Sequence, residues 1–215
     1  MRLHTTRAVL GGLAAVAAMA TLNASAQPPS SPTRQPPSAQ GPSTQPSPQS
    51  PGRQSSGRSS SSAQSAEESK FLQEAIQGNL AEVEMGKLAK ERSQNKDVRD
   101  YGQMLIDDHS KGNEKAKTAA KAMSVTAPTA PSAKQKQEHD MMAKLSGSQF
   151  DSMFMSHMVQ DHMEDIAKYT AQAQSGDSSK ATDYAKESLP TLRSHLSKAQ
   201  SIESKLSDRS SSNAR

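Results

Sequence analysis

The sequence predicts an all-α protein, a four-helix bundle with a short extra helix between its second and third long helices. Between about residues 66 and 206, apolar residues recur at three- and four-residue spacing. No segment there alternates with the two-residue period of a strand. Four of the helical segments approach thirty residues, or about 40 Å at 1.5 Å per residue, which is a usual length for bundle helices.

The first 26 residues have the pattern of a secretory signal peptide. Residues 1–7 are basic, residues 8–22 form a short apolar run, and Ala-Ser-Ala at 24–26 fits the small-x-small cleavage rule. We therefore expect an exported mature protein that begins at Gln27 and is periplasmic or associated with the outer membrane. The absence of cysteine agrees with export, and it excludes disulfides and thiolate metal sites.

Residues 27–65 are almost entirely Pro, Ser, Gln, Gly and Thr, with three arginines and no large apolar side chain. Such a segment buries too little surface to offset its ordering entropy, so we expect a disordered linker. It is either a passive spacer or a means of association with the cell envelope. A disordered tail is expected at 207–215.

The predicted helices follow in order. The first long helix spans 66–92, with Ser65 as its N-cap, and the second spans 95–123. Pro128 and Pro131 end the helical pattern before a short helix at 133–145. The third and fourth long helices are predicted at 148–175 and 178–206, and Pro190 should kink the fourth or mark a restart.

We do not expect the folded part to bind nucleic acid. From residue 66 to residue 206 it holds 19 Lys and Arg against 21 Asp and Glu, so the excess positive charge of the chain lies outside it. It also lacks a basic stripe interleaved with aromatic residues. Neither the composition nor the pattern predicts an oligomeric state.

Polar residues occupy core positions on all four long helices. His109, His162 and His195 fall on the apolar faces of the second, third and fourth long helices, and Glu82 falls on that of the first. Asp108 flanks the apolar stripe beside His109. Each core-facing residue is near the middle of its helix, so all four should lie at one level, whichever way each helix runs.

Two interpretations of this layer remain open. Imidazole and carboxylate ligands suit zinc, iron, manganese or copper, so the layer can be a metal site. Alternatively, each histidine hydrogen-bonds a facing carboxylate, and the layer only determines helix packing. Enzymatic activity is the least supported reading, because the sequence lacks a nucleophile–base motif, a glycine-rich phosphate loop and a cofactor motif.

Several blocks in order resemble a bacterial family, the domain of unknown function 4142. They are FLQEA at 71–75, GNLAEVEMGKLA at 78–89, MLIDDH at 104–109, LSGSQFD at 145–151, DH at 161–162 and LPTLRSHL at 189–196. The resemblance spans about residues 66–206. It implies a ferritin-like bundle, often labelled a predicted outer-membrane protein, with no established reaction.

The resemblance to ferritin-like proteins implies a set of metal ligands. These are Glu82, Asp108, His109, Asp161, His162 and His195. Di-iron bundles use Glu-x-x-His, whose two side chains converge, whereas this chain has adjacent Asp-His pairs whose side chains diverge by about 100°. A ferritin-type oxidase centre is therefore not expected.

A second resemblance concerns methionine. The segment FMSHMVQDHM at 154–163 is similar to the Met/His-rich helix of periplasmic bundles implicated in copper handling. Met153 and His157 are four residues apart and could bind Cu(I) together. The alternative is that the methionines simply fill a core that has few aromatic residues.

Overall fold

The structure is a computed structural model that describes residues 56–176 and 178–213. Across these residues the chain forms five helices and no strand, which confirms the all-α class. The helices are α1 (Ser56–Arg92), α2 (Lys96–Ala122), α3 (Ala133–Met142), α4 (Gly147–Ala173) and α5 (Lys180–Asn213). The predicted signal peptide, the linker up to residue 55 and the last two residues of the tail lie outside the described residues.

The four long helices pack as two antiparallel pairs, α1 with α2 and α4 with α5, joined mainly where α2 meets α5. One core cluster joins the C-terminal parts of α1 and α5 to the N-terminal parts of α2 and α4. A second cluster joins the opposite ends. Helices α1 and α5 therefore point one way along the bundle, and α2 and α4 point the other way.

Because α2 and α4 are parallel, the connection between them has to return along the length of the bundle. It contains α3, which packs on α1 and α4, so the connection runs along the side of the bundle. A capping box begins α3, in which the Ser132 hydroxyl accepts from the Gln135 backbone and the Gln135 side chain accepts from the Ser132 backbone.

The outer ends of α1 and α5 are longer than predicted. Helix α1 begins at Ser56, so the prediction of Ser65 as N-cap is wrong, and residues 56–65 of the expected linker are helical. Helix α5 continues to Asn213, through most of the expected tail. Serine hydroxyls at both ends bond to carbonyl oxygens four residues earlier, as Ser65 does to Ser61 at 2.9 Å. Serine-rich sequence can thus extend a helix that packed residues have already nucleated.

A kink or a restart was predicted at Pro190; helix α5 continues through this residue, so the restart does not occur. No helix in the described part of the chain combines the length and the apolarity that crossing a membrane requires.

A polar layer separates the two apolar clusters. On α1 the clusters include Leu72 to Ile76 and Met85 to Ala89, with Glu82 between them. His109, His162 and His195 have the same position on α2, α4 and α5, between residues of one cluster and residues of the other. The four polar side chains therefore lie at one level, as the sequence predicts.

Candidate metal centre

Three buried imidazoles meet in the polar layer. His109, His162 and His195 are 6%, 1% and 1% exposed. Their ring centroids are 5.2 to 5.9 Å apart. Each ring can offer one nitrogen such that the three nitrogens lie within 4.8 Å of one another. This spacing brings three potential metal ligands to one point, from three different helices.

The outer nitrogen of His109 is held by Asn79. The Asn79 Nδ2 group donates to the Ala75 carbonyl at 2.8 Å and to the Tyr184 hydroxyl at 2.9 Å. Its Oδ1 is therefore an acceptor, and His109 Nδ1 lies 3.0 Å from it. Nδ1 of His109 must carry the proton, which leaves Nε2 with a lone pair.

The other two histidines are oriented in the same way. His162 Nδ1 lies 2.9 Å from the carbonyl oxygen of Met158, so it donates and leaves Nε2 unprotonated. His195 Nε2 lies 3.2 Å from the carboxylate Oδ2 of Asp108, so it donates and leaves Nδ1 unprotonated. Each imidazole thus has a hydrogen-bond acceptor on the side away from its neighbours.

These tautomers leave three lone pairs inside the layer. His162 Nε2 and His195 Nδ1 face each other at 3.3 Å with no proton between them. His109 Nε2 is buried and has no hydrogen-bond partner. Metal-ligating histidines characteristically donate their second ring N–H to a carbonyl or a carboxylate, which determines the tautomer and the ring orientation. All three histidines here have that arrangement.

The surroundings of the three imidazoles favour their neutral form. Burial lowers the pKa of His109, and the neighbouring His162 and His195 lower it further. Burial and the charge of His195 lower the pKa of His162 to about 4. Burial also lowers the pKa of His195, although Asp108 partly opposes this shift. Neutral imidazole is the form that binds metal, so the rings need not lose a proton first.

A second group of possible ligands lies on the other side of the His162 ring. Glu82, Asp161 and His162 can each offer an atom such that the three atoms lie within 4.8 Å of one another. Glu82 is 3% exposed, and neither of its carboxylate oxygens has a hydrogen-bond partner. Its Oε1 is 3.9 Å from His162 Nδ1. Burial raises the pKa of the Glu82 carboxyl well above its ordinary value, and the charge of Asp161 adds to the rise.

The six residues predicted as ligands therefore have different positions. His109, His162 and His195 face one another, whereas Glu82 and Asp161 join only His162. Asp108 is half-buried and bonds the outer nitrogen of His195, so it lies behind a ligand position and not in the centre.

Asn79 was not predicted to belong to the site. It is 5% exposed and orients His109. The sequence could have indicated Asn79, because it is four residues after Ala75 and three before Glu82 and therefore lies on the same face of α1.

Asp165 makes the stability of the protein depend on pH. Burial raises the pKa of its carboxyl to about 7, and the charge of Asp161 adds to the rise, whereas Lys168 at 3.4 Å opposes it. Between the ordinary pKa of 3.8 and about 7, the folded protein keeps a proton that the unfolded chain releases. The folded state therefore becomes less stable as pH rises through this window, and above it the loss is complete.

We expect the Asp165→Asn variant to be more stable than the wild type at pH 8 and to lose this advantage as pH falls from 7 towards 4. Denaturant unfolding at pH 8, 6 and 4.5 measures the difference. Asp208→Asn is the control, because Asp208 is exposed on α5 and its removal should leave stability unchanged at each pH. A constant difference for Asp165→Asn across this range would contradict the prediction.

The described part of the chain is thus an all-α four-helix bundle whose core contains a layer of three histidines and nearby carboxylates. The chain belongs to the family described as Domain of unknown function (DUF4142), whose sequence profile matches residues 53–202. This match confirms the resemblance that the sequence blocks indicated. No curated protein and no solved structure matches the chain. The family description names no activity, so the function has to be argued from the site.

Proposed function

We propose that this protein binds one transition-metal ion through His109, His162 and His195. The observation that supports the proposal is the set of three inward lone pairs, each made available by a hydrogen bond on the opposite ring nitrogen. Without a cation, His162 Nε2 and His195 Nδ1 would face each other as two acceptors at 3.3 Å. A bound metal ion would give all three nitrogens a partner.

The donor set suggests which ions to test. Three neutral imidazoles suit zinc, copper and iron, and a carboxylate nearby extends the range to manganese. Three protein ligands leave one coordination position for water or a small molecule in a four-coordinate site. A pocket of about 150 Å³ borders His109 and Asp108, so a small molecule can approach the centre from the side of α2 and α5.

We further propose that the protein acts outside the cytoplasm, in metal handling or in the response to envelope stress. The support is the signal-peptide pattern of residues 1–26 and the absence of cysteine. Residues 27–55 would then tether the bundle. They would also associate it with the cell envelope if they bind an envelope component.

The test begins with mature protein purified from the periplasm without a chelator. We expect a stoichiometric metal by elemental analysis, and a melting temperature that rises when Zn²⁺, Mn²⁺, Fe²⁺ or Cu⁺ is added to the metal-free protein. A ligand at 100 times its Kd stabilises the native state by about 2.7 kcal/mol, which is on the order of 5–10 °C for a domain of this size.

The His109→Ala, His162→Ala double variant should lose both the bound metal and the melting shift, and the single variant His109→Gln should bind much more weakly. His139→Ala is the matched control, because His139 is on α3 and its side chain is 32% exposed. If no metal copurifies and no ion shifts the melting temperature, the layer only stabilises helix packing.

A further inference from the structure

An acidic cleft lies on the side of the bundle, between α1, α3 and α4. Its volume is about 360 Å³. Its acidic lining residues are Glu74, Glu138, Asp161, Glu164 and Asp165, and its basic ones are Lys134 and Lys168. Acidic side chains outnumber basic ones by five to two, so the cleft has a negative potential that attracts cations even though burial raises the pKa of Asp165 to about 7.

The cleft adjoins a smaller cavity beside Glu82. Gln135, Glu138 and Asp161 line both spaces. The inner cavity has a volume of about 10 Å³ and is also lined by Glu82 and Met158. This is about the space that one water molecule occupies, so it admits a single ion that has shed most of its hydration shell.

Glu82 gives an independent indication of a cation in this inner cavity. It is 3% exposed, and both of its carboxylate oxygens lack a hydrogen-bond partner. Burying the Glu82 carboxyl beside the carboxyl of Asp161 costs free energy, and a cation bound between the two groups would offset that cost. Glu82 and Asp161 present oxygen ligands on the Nδ1 side of His162, while Nε2 of His162 faces His195.

We propose that the acidic cleft is the entrance through which a divalent cation reaches the three imidazoles, and that Glu82 and Asp161 are the first buried ligands it meets. This inference rests on the proposed metal centre and adds its route of loading. Carboxylates bind an ion that still holds water molecules, and the imidazoles then bind it more strongly, because nitrogen ligands are preferred by the later transition metals. The His162 ring lies between the two positions: its Nδ1 side faces Glu82, and its Nε2, which has the lone pair, faces His195.

The pocket on the opposite side does not fit this role. It borders His109, but its charged lining consists of Lys111 and Lys115 together with Asp108 and Glu187. Lys111 pairs with Asp108 at 3.5 Å, and Lys115 pairs with Glu187 at 3.2 Å. This pocket is therefore balanced in charge and has no attraction for a free cation.

The experiment measures how fast the metal-free, full-length mature protein takes up Co²⁺, by stopped-flow absorbance of the bound ion. The cleft variant combines Glu74→Gln, Glu138→Gln and Glu164→Gln, none of which is a proposed ligand. The control variant combines Glu114→Gln, Glu187→Gln and Glu203→Gln on α2 and α5, which changes the net charge by the same amount.

We expect the cleft variant to load about tenfold more slowly than the wild type at low salt, with an unchanged final Co²⁺ spectrum and a weaker dependence on ionic strength. The control variant should load at close to the wild-type rate. The single variant Glu82→Gln should also slow loading, with little change in the dependence on salt, because it removes a buried ligand and not a surface charge.

Two failures are distinguishable. If the wild-type protein takes up no Co²⁺ and no other ion, both the proposed metal centre and the proposed entrance are wrong. If the wild type takes up Co²⁺ and the cleft and control variants load equally fast, the proposed metal centre is supported and the proposed entrance is wrong. Circular dichroism and melting of each variant establish that the comparison is made on folded protein.

Discussion

Replacing Gly86 by alanine is expected to destabilise the bundle by about 2 kcal/mol, a strong effect for the addition of one methyl group. The added Cβ would lie 2.5 Å from the carbonyl oxygen of Gly102 and 2.9 Å from Ile106 Cγ1. The reciprocal contact is equally close, since a Cβ on Gly102 would lie 2.7 Å from the Gly86 carbonyl oxygen. Helices α1 and α2 would have to separate here, because the closest group in the way, the Gly102 carbonyl oxygen, belongs to the backbone.

The estimate combines two opposing effects. Overpacking of this kind costs up to about 3 kcal/mol, while alanine gains about 1 kcal/mol over glycine in helix propensity. Thermal unfolding should show a melting temperature lower by roughly 4–8 °C. Gly78→Ala is the matched control on the same helix, because its Cβ would lie 4.0 Å from Asp165 Oδ2 and meet nothing closer.

Gly78→Ala should be neutral or should stabilise by up to about 1 kcal/mol, since only the gain in helix propensity remains. If Gly86→Ala and Gly78→Ala change the melting temperature equally, the close approach of α1 and α2 at Gly86 does not contribute to stability.

Replacing Glu82 by methionine is expected to make the metal-free protein more stable while slowing its uptake of metal. Glu82 is buried between the apolar clusters, and its oxygens have no hydrogen-bond partner. Leaving such a group buried costs about 1–3 kcal/mol, and an apolar side chain of similar length avoids that cost. The melting temperature of the metal-free protein should therefore rise by roughly 3–9 °C.

Glu82→Gln separates the two contributions to this result. Glutamine keeps a buried polar group without partners, so it should not stabilise the metal-free protein, yet it should slow metal uptake as methionine does. Opposite effects of Glu82→Met on stability and on loading would indicate that Glu82 is retained for binding and not for packing. A fall in the melting temperature of metal-free Glu82→Met would show that Glu82 contributes to the fold through another partner.

Much of this architecture can be predicted from the sequence, because helical periodicity is a local property. The 3.6-residue period places His109, His162 and His195 on buried faces, and all three are buried. Their position near the middle of each helix predicts one common level, and the two apolar clusters confirm it. The ends of α1 and α5 were predicted wrongly, because serine-rich composition alone does not show whether a packed helix continues into it.

Other features depend on how the helices meet. Asn79 and Asp108 act on rings from other helices, with Asn79 holding His109 and Asp108 holding His195 across 87 positions of sequence. The sequence shows that Asp108 is adjacent to His109. It does not show that the Asp108 carboxylate accepts a hydrogen bond from His195. The separation of the six predicted ligands into an inner imidazole group and an outer carboxylate group likewise appears only in the folded chain.

The sequence by itself determined the helical class, the four long helices and the presence of histidines and a carboxylate in the core, because each follows from spacing along one helix. Only the tertiary structure decided the crossover between the parallel helices α2 and α4, the tautomer of each histidine and the acidic cleft that adjoins the cavity beside Glu82. The physical reason is that the ring nitrogen that faces a hydrogen-bond acceptor carries the proton, and the other ring nitrogen then keeps its lone pair. Which acceptor that is depends on the rotation and height of neighbouring helices, and no local pattern records them.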